Sequence, residues 1–482
     1  MPEAHFDVAV IGAGMAGLTA AALLAAEGRR VLVAEQRDVV GGYYSAFQAE
    51  GAHFDLAISY MLSCGEGDVV QRLLERVGLA GELRFQPLEV IDQIYLPGVE
   101  LKIRPGRAGF VGALTEAFPH QRREIEQLAD WLELFMRGAE AERRDGEAMR
   151  LFLQGYRRTY EEFLAERISD PRLRAVLALR IQADPASLMI MAGFVVECYF
   201  KGMYYLPGGT HRLPLALAGV LTRSGGAVRT GAEVVRLETE GDRVRALVLR
   251  DGERITADAF VANGDVFRLC DELLAGAAPE SFRRSLEGRP IGHSSLSLYL
   301  LTEGLDLDRF RGGRIYLCNS HDIFGIYREI EAGRIPAETV IKVHIPTLSD
   351  PSLAPPGHHI VRIETDLLLD PSESTPEQVY AEELPEQLLD RVEARLIPGL
   401  RAHTRWRRVI TPRGFRALIG HTRGSGTGWA HTVPNLVLRP FPQNTPFRNL
   451  FVAGQWGSFG SGLRQLVLSG SKAAEAVQRS LA

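Results

Sequence analysis

The segment 6–17 constrains the fold of this chain more strongly than any other part of the sequence. A short apolar run leads into Gly12-x-Gly14-x-x-Gly17, and an Ala- and Leu-rich segment follows. Strand, glycine turn and helix in this order are typical of a βαβ unit that binds a dinucleotide. The glycines allow a sharp turn and a close approach of the backbone to a pyrophosphate. The helix N-terminus then offers free N–H groups to the phosphate oxygens.

An acidic residue and a pair of glycines follow this unit. Glu35 ends the second apolar run, 31–34, where its carboxylate can accept hydrogen bonds from a ribose diol. Gln36, Arg37 and then Gly41-Gly42-Tyr43 come after it. An acid followed shortly by Gly-Gly is typical of flavin-binding chains, because the glycine pair lets the loop pass close to the diphosphate and the ribityl chain. The sequence therefore predicts a flavin dinucleotide site.

Composition excludes several classes of protein and site. The chain has 482 residues, 46% of them hydrophobic and 24% charged, and its net charge of −5 gives no basic field to attract nucleic acid. The 12 histidines form no His-x-x-x-His pair, so we expect no metal. The four cysteines are far apart, which predicts no disulfide framework or zinc site and fits a reducing cytoplasm. These cysteines are Cys64, Cys198, Cys270 and Cys318.

The middle of the chain, 108–203, is predicted to be mostly helical. Apolar residues keep helical spacing within 125–136 and within 152–164. Stripes of this kind most often belong to a protein core, and the alternative is a tunnel wall or a surface that rests on a membrane. The apolar cluster 188–200 is too short to span a bilayer.

Alternating apolar patterns predict strands on both sides of this helical segment, including an antiparallel sheet that roofs a cavity. Pro97-Gly98 and Asp251-Gly252 mark two hairpin turns. The main predicted strands are 228–237, 243–249, 255–263, 294–299, 340–343, 360–363 and 405–411, and further predicted helices are 68–78, 215–224 and 376–396.

A second glycine-rich turn lies near the C-terminus. The apolar run 450–453 leads into Gly454-Gln455-Trp456, and Gly460-Ser461-Gly462 precedes a predicted helix that begins at Leu463. Strand, glycine-rich turn and helix again create a positive helix end, which suits a phosphate or the O2 edge of a flavin. The alternative for this turn is a role in packing alone.

These patterns predict an α/β chain with three domains. A Rossmann-type FAD-binding domain, discontinuous in sequence, is combined with an antiparallel-sheet substrate domain and a helical insert. The expected ranges are 1–85, 205–275 and 440–482 for the FAD-binding domain, 86–107 and 276–439 for the substrate domain with its mixed sheet, and 108–204 for the insert or lid.

Three blocks carry a resemblance to one family. They are the N-terminal fingerprint through Gly41-Gly42, the motif Leu206-Pro207-Gly208-Gly209-Thr210 with the strands up to Asn263-Gly264-Asp265, and the stretch 445–462. In these blocks the chain resembles the phytoene desaturase, carotenoid isomerase and retinol saturase group of FAD proteins. That group is part of the amine-oxidase-like flavoprotein superfamily.

The resemblance implies a non-covalent FAD in an extended pose. The AMP half would contact the fingerprint and Glu35, and the adenine would lie near Val234. Gly41 to Tyr43 would follow the diphosphate and flavin, and the C-terminal turn would hold the ribityl chain and ring. The expected cofactor-binding residues are Gly12, Gly14, Met15, Ala16, Gly17, Glu35, Gln36, Arg37, Gly41, Gly42, Tyr43, Glu233, Val234, Asn263, Gly454, Gln455, Gly462 and Leu463.

The chain departs from the group at several of these positions. Many relatives have Arg or Thr where Tyr43 stands, and Asp or Glu where Gln455 stands. The usual Pro-Gly-Gly-Gly is here Phe-Gly-Ser-Gly at 459–462, so Phe459 and Ser461 would lie close to the ring. These changes bear on the substrate more than on the cofactor. The last motif contains no cysteine, so no thioether to the flavin is expected.

The resemblance also implies a reaction class. It is an FAD-dependent oxidoreductase acting on carbon–carbon bonds of a lipophilic polyene or isoprenoid-like substrate, by hydride transfer to or from flavin N5. Desaturation, saturation and isomerisation are all open, and the electron partner is oxygen, a quinone or NAD(P)H. The expected partner is a hydrophobic small molecule, not nucleic acid. The expected location is cytoplasmic, with peripheral contact to a membrane as an option.

No catalytic residue is assigned from the sequence. Five residues are candidate acids or bases, although each type more often has a structural role. Two other functions are open on the same fold. One is an amine or amino-acid oxidase, and the other is a flavin-free prenyl-lipid carrier of the GDP-dissociation-inhibitor type, against which the full glycine fingerprint argues. The candidate acids and bases are His53, Glu197, Lys201, His293 and His431.

Overall fold

The computed structural model describes residues 4–140, 146–310, 312–368 and 375–482. Its strands are β1 (Ala4–Ile11), β2 (Val31–Ala34), β3 (Ala46–Ala49), β4 (Ala52–Asp55), β5 (Gln86–Pro87), β6 (Asp92–Leu96), β7 (Val99–Ile103), β8 (Tyr204–Tyr205), β9 (Ala227–Arg229), β10 (Val234–Glu240), β11 (Arg243–Leu249), β12 (Arg254–Asn263), β13 (Ser294–Glu303), β14 (Arg314–Leu317), β15 (Ile341–His344), β16 (His358–Leu367), β17 (Thr404–Ile410) and β18 (Leu450–Ala453).

The α-helices cover both sheets and form a separate helical segment in the middle of the chain. They are α1 (Met15–Ala26), α2 (Val69–Arg76), α3 (Arg107–Ala117), α4 (Arg122–Glu140), α5 (Gly146–Gly155), α6 (Tyr160–Arg167), α7 (Pro171–Ala178), α8 (Leu188–Val195), α9 (Arg212–Arg223), α10 (Val266–Arg268), α11 (Glu280–Leu286), α12 (Ile323–Glu331), α13 (Leu384–Arg395), α14 (Leu400–His403), α15 (Pro412–Ile419) and α16 (Leu463–Leu481).

The first sheet is built around the N-terminal strand. Its order is β10-β11-β12-β1-β2-β9, and β18 pairs with the far end of β12. The strands β9, β2, β1, β12 and β18 run parallel to one another, whereas β11 pairs antiparallel with both β10 and β12. Because parallel strands have their carboxyl ends at one edge, the turns after β1 and β18 lie at the same edge of this sheet.

Three helices pack close together on one face of this sheet. The α1 helix is rich in Ala and almost entirely buried, and it contacts both α9 and α16. A Cβ atom on Gly470 of α16 would overlap the carbonyl oxygen of Ala16, so only glycine allows the two helices to approach this closely. This contact fixes the N-terminus of α16 beside that of α1.

The second sheet has the order β17-β13-β16-β15-β14-β6-β7 and is antiparallel except for the pair β14 and β6. One of its faces is apolar and packs on α13, with Leu298, Val343 and Ile363 among the buried residues. Successive residues of a strand point to opposite faces. The other face therefore carries the intervening residues, and some of them line a cavity that residues of the first sheet also line.

The helices α3 to α8 form the segment between the two hairpin-rich parts of the chain. The apolar stripes predicted within 125–136 and 152–164 are largely buried here, with Leu128, Phe135 and Phe163 fully inaccessible. These residues therefore belong to the core. Within the described residues, no helix has both the length and the apolar character needed to cross a membrane.

The observed architecture confirms the predicted fold class and corrects three element boundaries. The predicted strand 228–237 is interrupted after β9, because Gly231 forms a turn with a positive φ of 64°. The predicted helix 215–224 begins at Arg212, since Pro214 is tolerated in the first turn, where its missing N–H has no helical partner. The predicted helix 376–396 divides into a π-turn at Val379–Glu383 and α13. The division into three domains stays a prediction.

Candidate functional site

One long cavity runs from the glycine turn after β1 to the inner face of the second sheet. Its lining brings together residues from both ends of the chain and from both sheets. Sixteen of the predicted cofactor residues line it, namely Gly12, Gly14, Met15, Ala16, Glu35, Gln36, Arg37, Gly41, Gly42, Tyr43, Val234, Asn263, Gly454, Gln455, Gly462 and Leu463. That these residues bind a cofactor stays a prediction.

The remaining two predicted residues have other positions. A Cβ atom on Gly17 would overlap the carbonyl oxygen of Gly12. Gly17 therefore packs directly against the turn and does not line the cavity. Glu233 forms ion pairs of 2.6 Å with Arg250 and with Arg268. Its carboxylate therefore holds Arg268 at the wall of the cavity, and only its neighbour Val234 lines the cavity itself.

The turn after β1 leaves no space for a side chain. Gly12 has a positive φ of 91°, and a Cβ atom there would overlap the carbonyl oxygen of Asn263. The Asn263 Nδ2 atom donates a hydrogen bond of 3.2 Å to the carbonyl oxygen of Gly12. This contact between β12 and the turn keeps the backbone exposed to the cavity at the position where a pyrophosphate would approach.

Two helix N-termini open into the same cavity. The α1 helix begins after Gly14 and α16 begins after Gly462, and neither has a side-chain cap within the described chain. The free N–H groups and the positive dipole end of each helix therefore point toward the cavity. Two separate electropositive helix ends match a ligand with two electron-rich parts, such as the diphosphate and the O2 edge of a flavin.

Glu35 is held by the backbone. Its carboxylate accepts hydrogen bonds from the Ala13 N–H, at 2.7 Å, and from the Arg37 N–H, at 2.9 Å. The side chain is buried at the cavity wall. An ionised carboxylate has about four acceptor positions, so it keeps lone pairs for the hydroxyl groups of a ribose.

A polar network lies between the two glycine turns. The Tyr43 hydroxyl donates a hydrogen bond of 2.8 Å to the Ser425 carbonyl oxygen, and Gln455 Nε2 lies 2.9 Å from His421 Nδ1. Burial lowers the pKa of His421, which favours the neutral imidazole at this position. Gln455 is thus a neutral hydrogen-bonding group at this position.

Charged side chains line the other end of the cavity. Arg362 forms an ion pair with Glu364, and Lys342 Nζ lies 2.5 Å from Asp366 Oδ2. Burial alone would raise the pKa of Glu364, but Arg362 holds it well below its usual value. Lys342 likewise lowers the pKa of Asp366 against the effect of burial. Both carboxylates are therefore ionised within the protein.

The pairing of strands explains why these charges meet. In the sheet register, Lys342 lies opposite Glu364, and Arg314 lies opposite Asp92. Residues opposite each other in adjacent strands share a face. Behind this layer, Arg180 forms a two-point ion pair with Asp92, at 2.5 and 3.0 Å.

The five candidate acids and bases occupy different positions. His293 lines the cavity, with Nε2 2.8 Å from Glu331 Oε1. His431 lies behind the wall, with Nε2 3.0 Å from the cavity residue Ser461, and burial lowers its pKa to about 4. The others are engaged elsewhere: Lys201 Nζ lies 2.7 Å from Glu197 Oε1, and His53 Nε2 lies 3.0 Å from His211 Nδ1.

One described group has the chemistry of metal ligands, although the sequence predicts no metal. His53, Asp55 and His211 offer ligand atoms within 4.8 Å of one another. Asp55 already accepts hydrogen bonds of 2.9 Å from the N–H and the hydroxyl of Thr210. The two imidazoles are at hydrogen-bond distance from each other, so the cluster is satisfied internally. The prediction of no metal stays a prediction.

Sequence reasoning missed the charged end of the cavity. The signal was present in Arg362-Ile363-Glu364-Thr365-Asp366, where charged residues alternate with smaller or apolar ones in a strand that is largely buried on both sides. Such alternation places the charges on one face. Phe415, His421 and Arg268 also line the cavity and were not predicted.

Comparisons with known proteins agree with this geometry. The chain matches the family described as flavin containing amine oxidoreductase over residues 15–478. It is 29% identical to a phytoene dehydrogenase of Streptomyces griseus, covering 98% of this chain and 94% of that protein. It is 26% identical to a prolycopene isomerase of an Oncidium hybrid, covering 99% and 84%. It is 30% identical to the human all-trans-retinol 13,14-reductase, over 58% of this chain and 50% of that protein.

Solved structures with low sequence identity share the fold. An oxidoreductase of Methanosarcina mazei is 17% identical, with a TM-score of 0.66 and coverage of 97% and 99%. Cyclohexylamine oxidase of Brevibacterium oxydans is 18% identical, with a TM-score of 0.63 and full coverage of both chains. A RAB GDI of Plasmodium falciparum is 12% identical, with a TM-score of 0.53 and coverage of 99% and 98%. The fold alone therefore does not separate an oxidase from a RAB GDI.

The family match and the cavity lead to one conclusion. The glycine turn, the buried carboxylate of Glu35 and the two open helix ends fit an FAD, and the family match spans nearly the whole chain. This chain therefore belongs to the flavin-containing amine oxidoreductase family and is a flavin-dependent oxidoreductase with FAD as its cofactor.

Proposed function

We propose that this protein acts on carbon–carbon bonds of a conjugated, isoprenoid-like substrate, by desaturation, saturation or isomerisation. The observation that supports this most is the similarity over almost the full length to proteins named for phytoene and prolycopene. The human relative is named for retinol, which is also an isoprenoid polyene. The names include a dehydrogenase, an isomerase and a reductase, so they support the substrate class more than the direction of the reaction.

The cavity supports an assignment of roles to its two ends. The adenine and ribose would lie at Val234 and Glu35, and the diphosphate at the glycine turn and the N-terminus of α1. The N-terminus of α16 and Gln455 would hold the ring. FAD supplies hydride transfer to or from carbon when it is bound. The chain itself supplies the binding, the orientation and the exclusion of water.

His293 is the group best placed to accept or give the accompanying proton. A carboxylate only accepts hydrogen bonds, so the contact with Glu331 puts a hydrogen on Nε2 and makes Nδ1 the ring atom that would exchange a proton with the substrate. The Nδ1 atom is buried and has no hydrogen-bond partner among the described residues. The imidazole also stacks on Tyr327, with ring centroids 5.3 Å apart, which fixes its orientation.

The test begins with the holoenzyme under anaerobic conditions. Its visible spectrum is recorded before and after addition of NADPH, and then after addition of phytoene, prolycopene or retinol in micelles. Bleaching by NADPH followed by reoxidation with a polyene indicates a saturase, and bleaching by a polyene alone indicates a desaturase. Conversion of a cis polyene by the reduced protein, without net reoxidation, indicates an isomerase.

Two outcomes would contradict the proposal. If putrescine, cyclohexylamine or an amino acid bleaches the flavin and polyenes do not, the protein is an amine or amino-acid oxidase. If the protein holds a prenylated peptide and remains free of flavin after incubation with FAD, it is a carrier. Product analysis by chromatography accompanies each spectrum, so that a spectral change without a product is not counted as turnover.

A further inference from the structure

We infer that the substrate end of the cavity binds a carboxylate group, and that Arg314 is the residue that pairs with it. This inference rests on the proposed function. It narrows the substrate class from polyenes in general to polyenes that carry a carboxylic acid group. The inner face of the second sheet carries a layer of charged side chains. Binding of an all-hydrocarbon substrate does not explain this layer.

The layer has more cations than anions. Among the described side chains that line this end, Arg314, Lys342 and Arg362 are cationic, and Glu364 and Asp366 are anionic. The pair of Arg180 and Asp92 behind them is neutral in sum. Burial of an uncompensated charge is costly, and a bound anion removes that cost.

The excess charge lies at Arg314. Lys342 is 2.5 Å from Asp366, and Arg362 pairs closely with Glu364. Arg314 Nη2 lies 3.6 Å from Glu364 Oε1, which is an ion-pair distance but longer than a hydrogen bond. Glu364 therefore pairs with both arginines, and its closer partner is Arg362.

The guanidinium of Arg314 is held in place and still has donors to offer. Its Nη1 donates a hydrogen bond of 3.2 Å to the Tyr316 hydroxyl, and its central carbon lies 5.0 Å from the centroid of the Tyr60 ring. Its Nε is buried and has no hydrogen-bond partner among the described residues, and the same is true of Nε of Arg362. Nη2 of Arg314 lies beyond hydrogen-bond length from Glu364, so it keeps N–H donors that suit the planar geometry of a carboxylate.

Neighbouring titratable groups do not supply the missing anion. Glu331 does not line the cavity, and its carboxylate accepts a hydrogen bond from His293 Nε2, at 2.8 Å. His344 lies 3.5 Å from Glu364, and burial lowers its pKa to about 4, so it is neutral near pH 7. A neutral carbonyl could accept a hydrogen bond from Arg314 but would leave the charge uncompensated. A phosphate would bring more negative charge than the layer has in excess.

The experiment compares an acid with its ester on the FAD-loaded protein. Retinoic acid and methyl retinoate share the polyene and differ in the charge, and their dissociation constants are measured by perturbation of the flavin spectrum. The acid is expected to bind at least about tenfold more tightly than the ester. In Arg314→Gln this preference is expected to disappear, and in Arg314→Lys part of it is expected to remain. Equal affinity of the wild type for acid and ester would overturn the inference.

A matched control separates this effect from a general loss of positive charge. Arg408→Gln makes the same change on β17 of the same sheet, at an exposed position outside the cavity, and should keep the acid preference. FAD content is measured in every variant. A wild type that holds no FAD contradicts the proposed function, whereas a loaded wild type without acid preference contradicts this inference alone. If an α-amino acid binds through Arg314 and bleaches the flavin, the carboxylate site is supported. The proposed polyene substrate is then contradicted.

Discussion

The two ends of the cavity recognise their ligands by different physical means. At the glycine turn, neutral backbone N–H groups and two helix ends face the cavity, and the nearest carboxylate, Glu35, is held by backbone hydrogen bonds. At the second sheet, buried side chains with full charges face the cavity. Backbone dipoles hold an anion with little desolvation cost, whereas buried charges depend on each other for their stability. The first end therefore tolerates little change in shape, and the second tolerates little change in charge.

The largest expected effect comes from a change of shape at the first end. In Gly12→Ala the new methyl group would overlap the Asn263 carbonyl oxygen at a backbone φ of 91°. We expect this variant to lose FAD entirely, as measured by the flavin absorbance of the purified protein. Gly28→Ala is the control, because its φ of 86° is similar and no described atom lies within 4 Å of the new methyl group. It should keep FAD and lose about 1–2 kcal/mol of stability, the cost of a Cβ atom at a positive φ.

The next prediction concerns His293 at the second end. His293→Gln removes the Nδ1 lone pair and should lower turnover by about 10²–10⁴-fold, as expected for the loss of an acid or base. The flavin content should not change, because His293 is not among the residues expected to contact FAD. His53→Gln is the comparison, since His53 contacts His211 outside this cavity, and its turnover should be normal. A fully active His293→Gln with an unchanged pH profile would exclude this role.

A change of charge without a change of shape tests the buried ion pairs. Glu364→Gln leaves Arg362 and Arg314 without their shared carboxylate, and should cost about 3–5 kcal/mol in the free energy of unfolding. Glu386→Gln removes a carboxylate that pairs with Arg401 and Arg407 at the surface, and should cost no more than about 1 kcal/mol. Similar losses in the two variants would show that the charged layer is not buried as described.

The pH dependence of stability gives a smaller effect with a definite sign. Burial lowers the pKa of His344 from 6.5 to about 4. Between these values the unfolded chain takes up a proton that the folded chain does not, so stability falls as the pH falls. From pH 7 to pH 4 the wild type should lose about 3 kcal/mol more than His344→Gln, in which this proton uptake is absent. Parallel curves for the two proteins would contradict the burial of a neutral imidazole.

The smallest effect is expected at the ribose position. Glu35→Gln replaces one of the two acceptor oxygens by an NH2 group, so the side chain can no longer accept from both the Ala13 N–H and the Arg37 N–H. FAD affinity should fall by about tenfold, measured by titration of the apoprotein with FAD. Glu253→Gln, at an exposed ion pair with Arg229 on the same sheet, should bind FAD normally. An unaffected Glu35→Gln would remove this carboxylate from the binding site.

The difference between the two ends also explains what could be predicted from the sequence. The turn at Gly12, the acid Glu35 and the helix that begins at Leu463 are each encoded by neighbouring residues, so their spacing alone revealed them. The charged layer combines Arg314, Lys342 and Arg362 from three strands, and it exists only through the register of the sheet. Alternation of charges in one strand indicates a polar face, but the partner of each charge depends on the tertiary fold.

The most direct test of non-covalent FAD binding is the flavin content of the purified protein. The protein is saturated with FAD, freed of unbound cofactor and denatured with acid, and the released flavin is identified by mass and quantified against the chain. One FAD per chain is expected, all of it released, with no flavin on any peptide. A protein that holds no flavin after saturation, or a flavin that stays attached to a peptide, would contradict it.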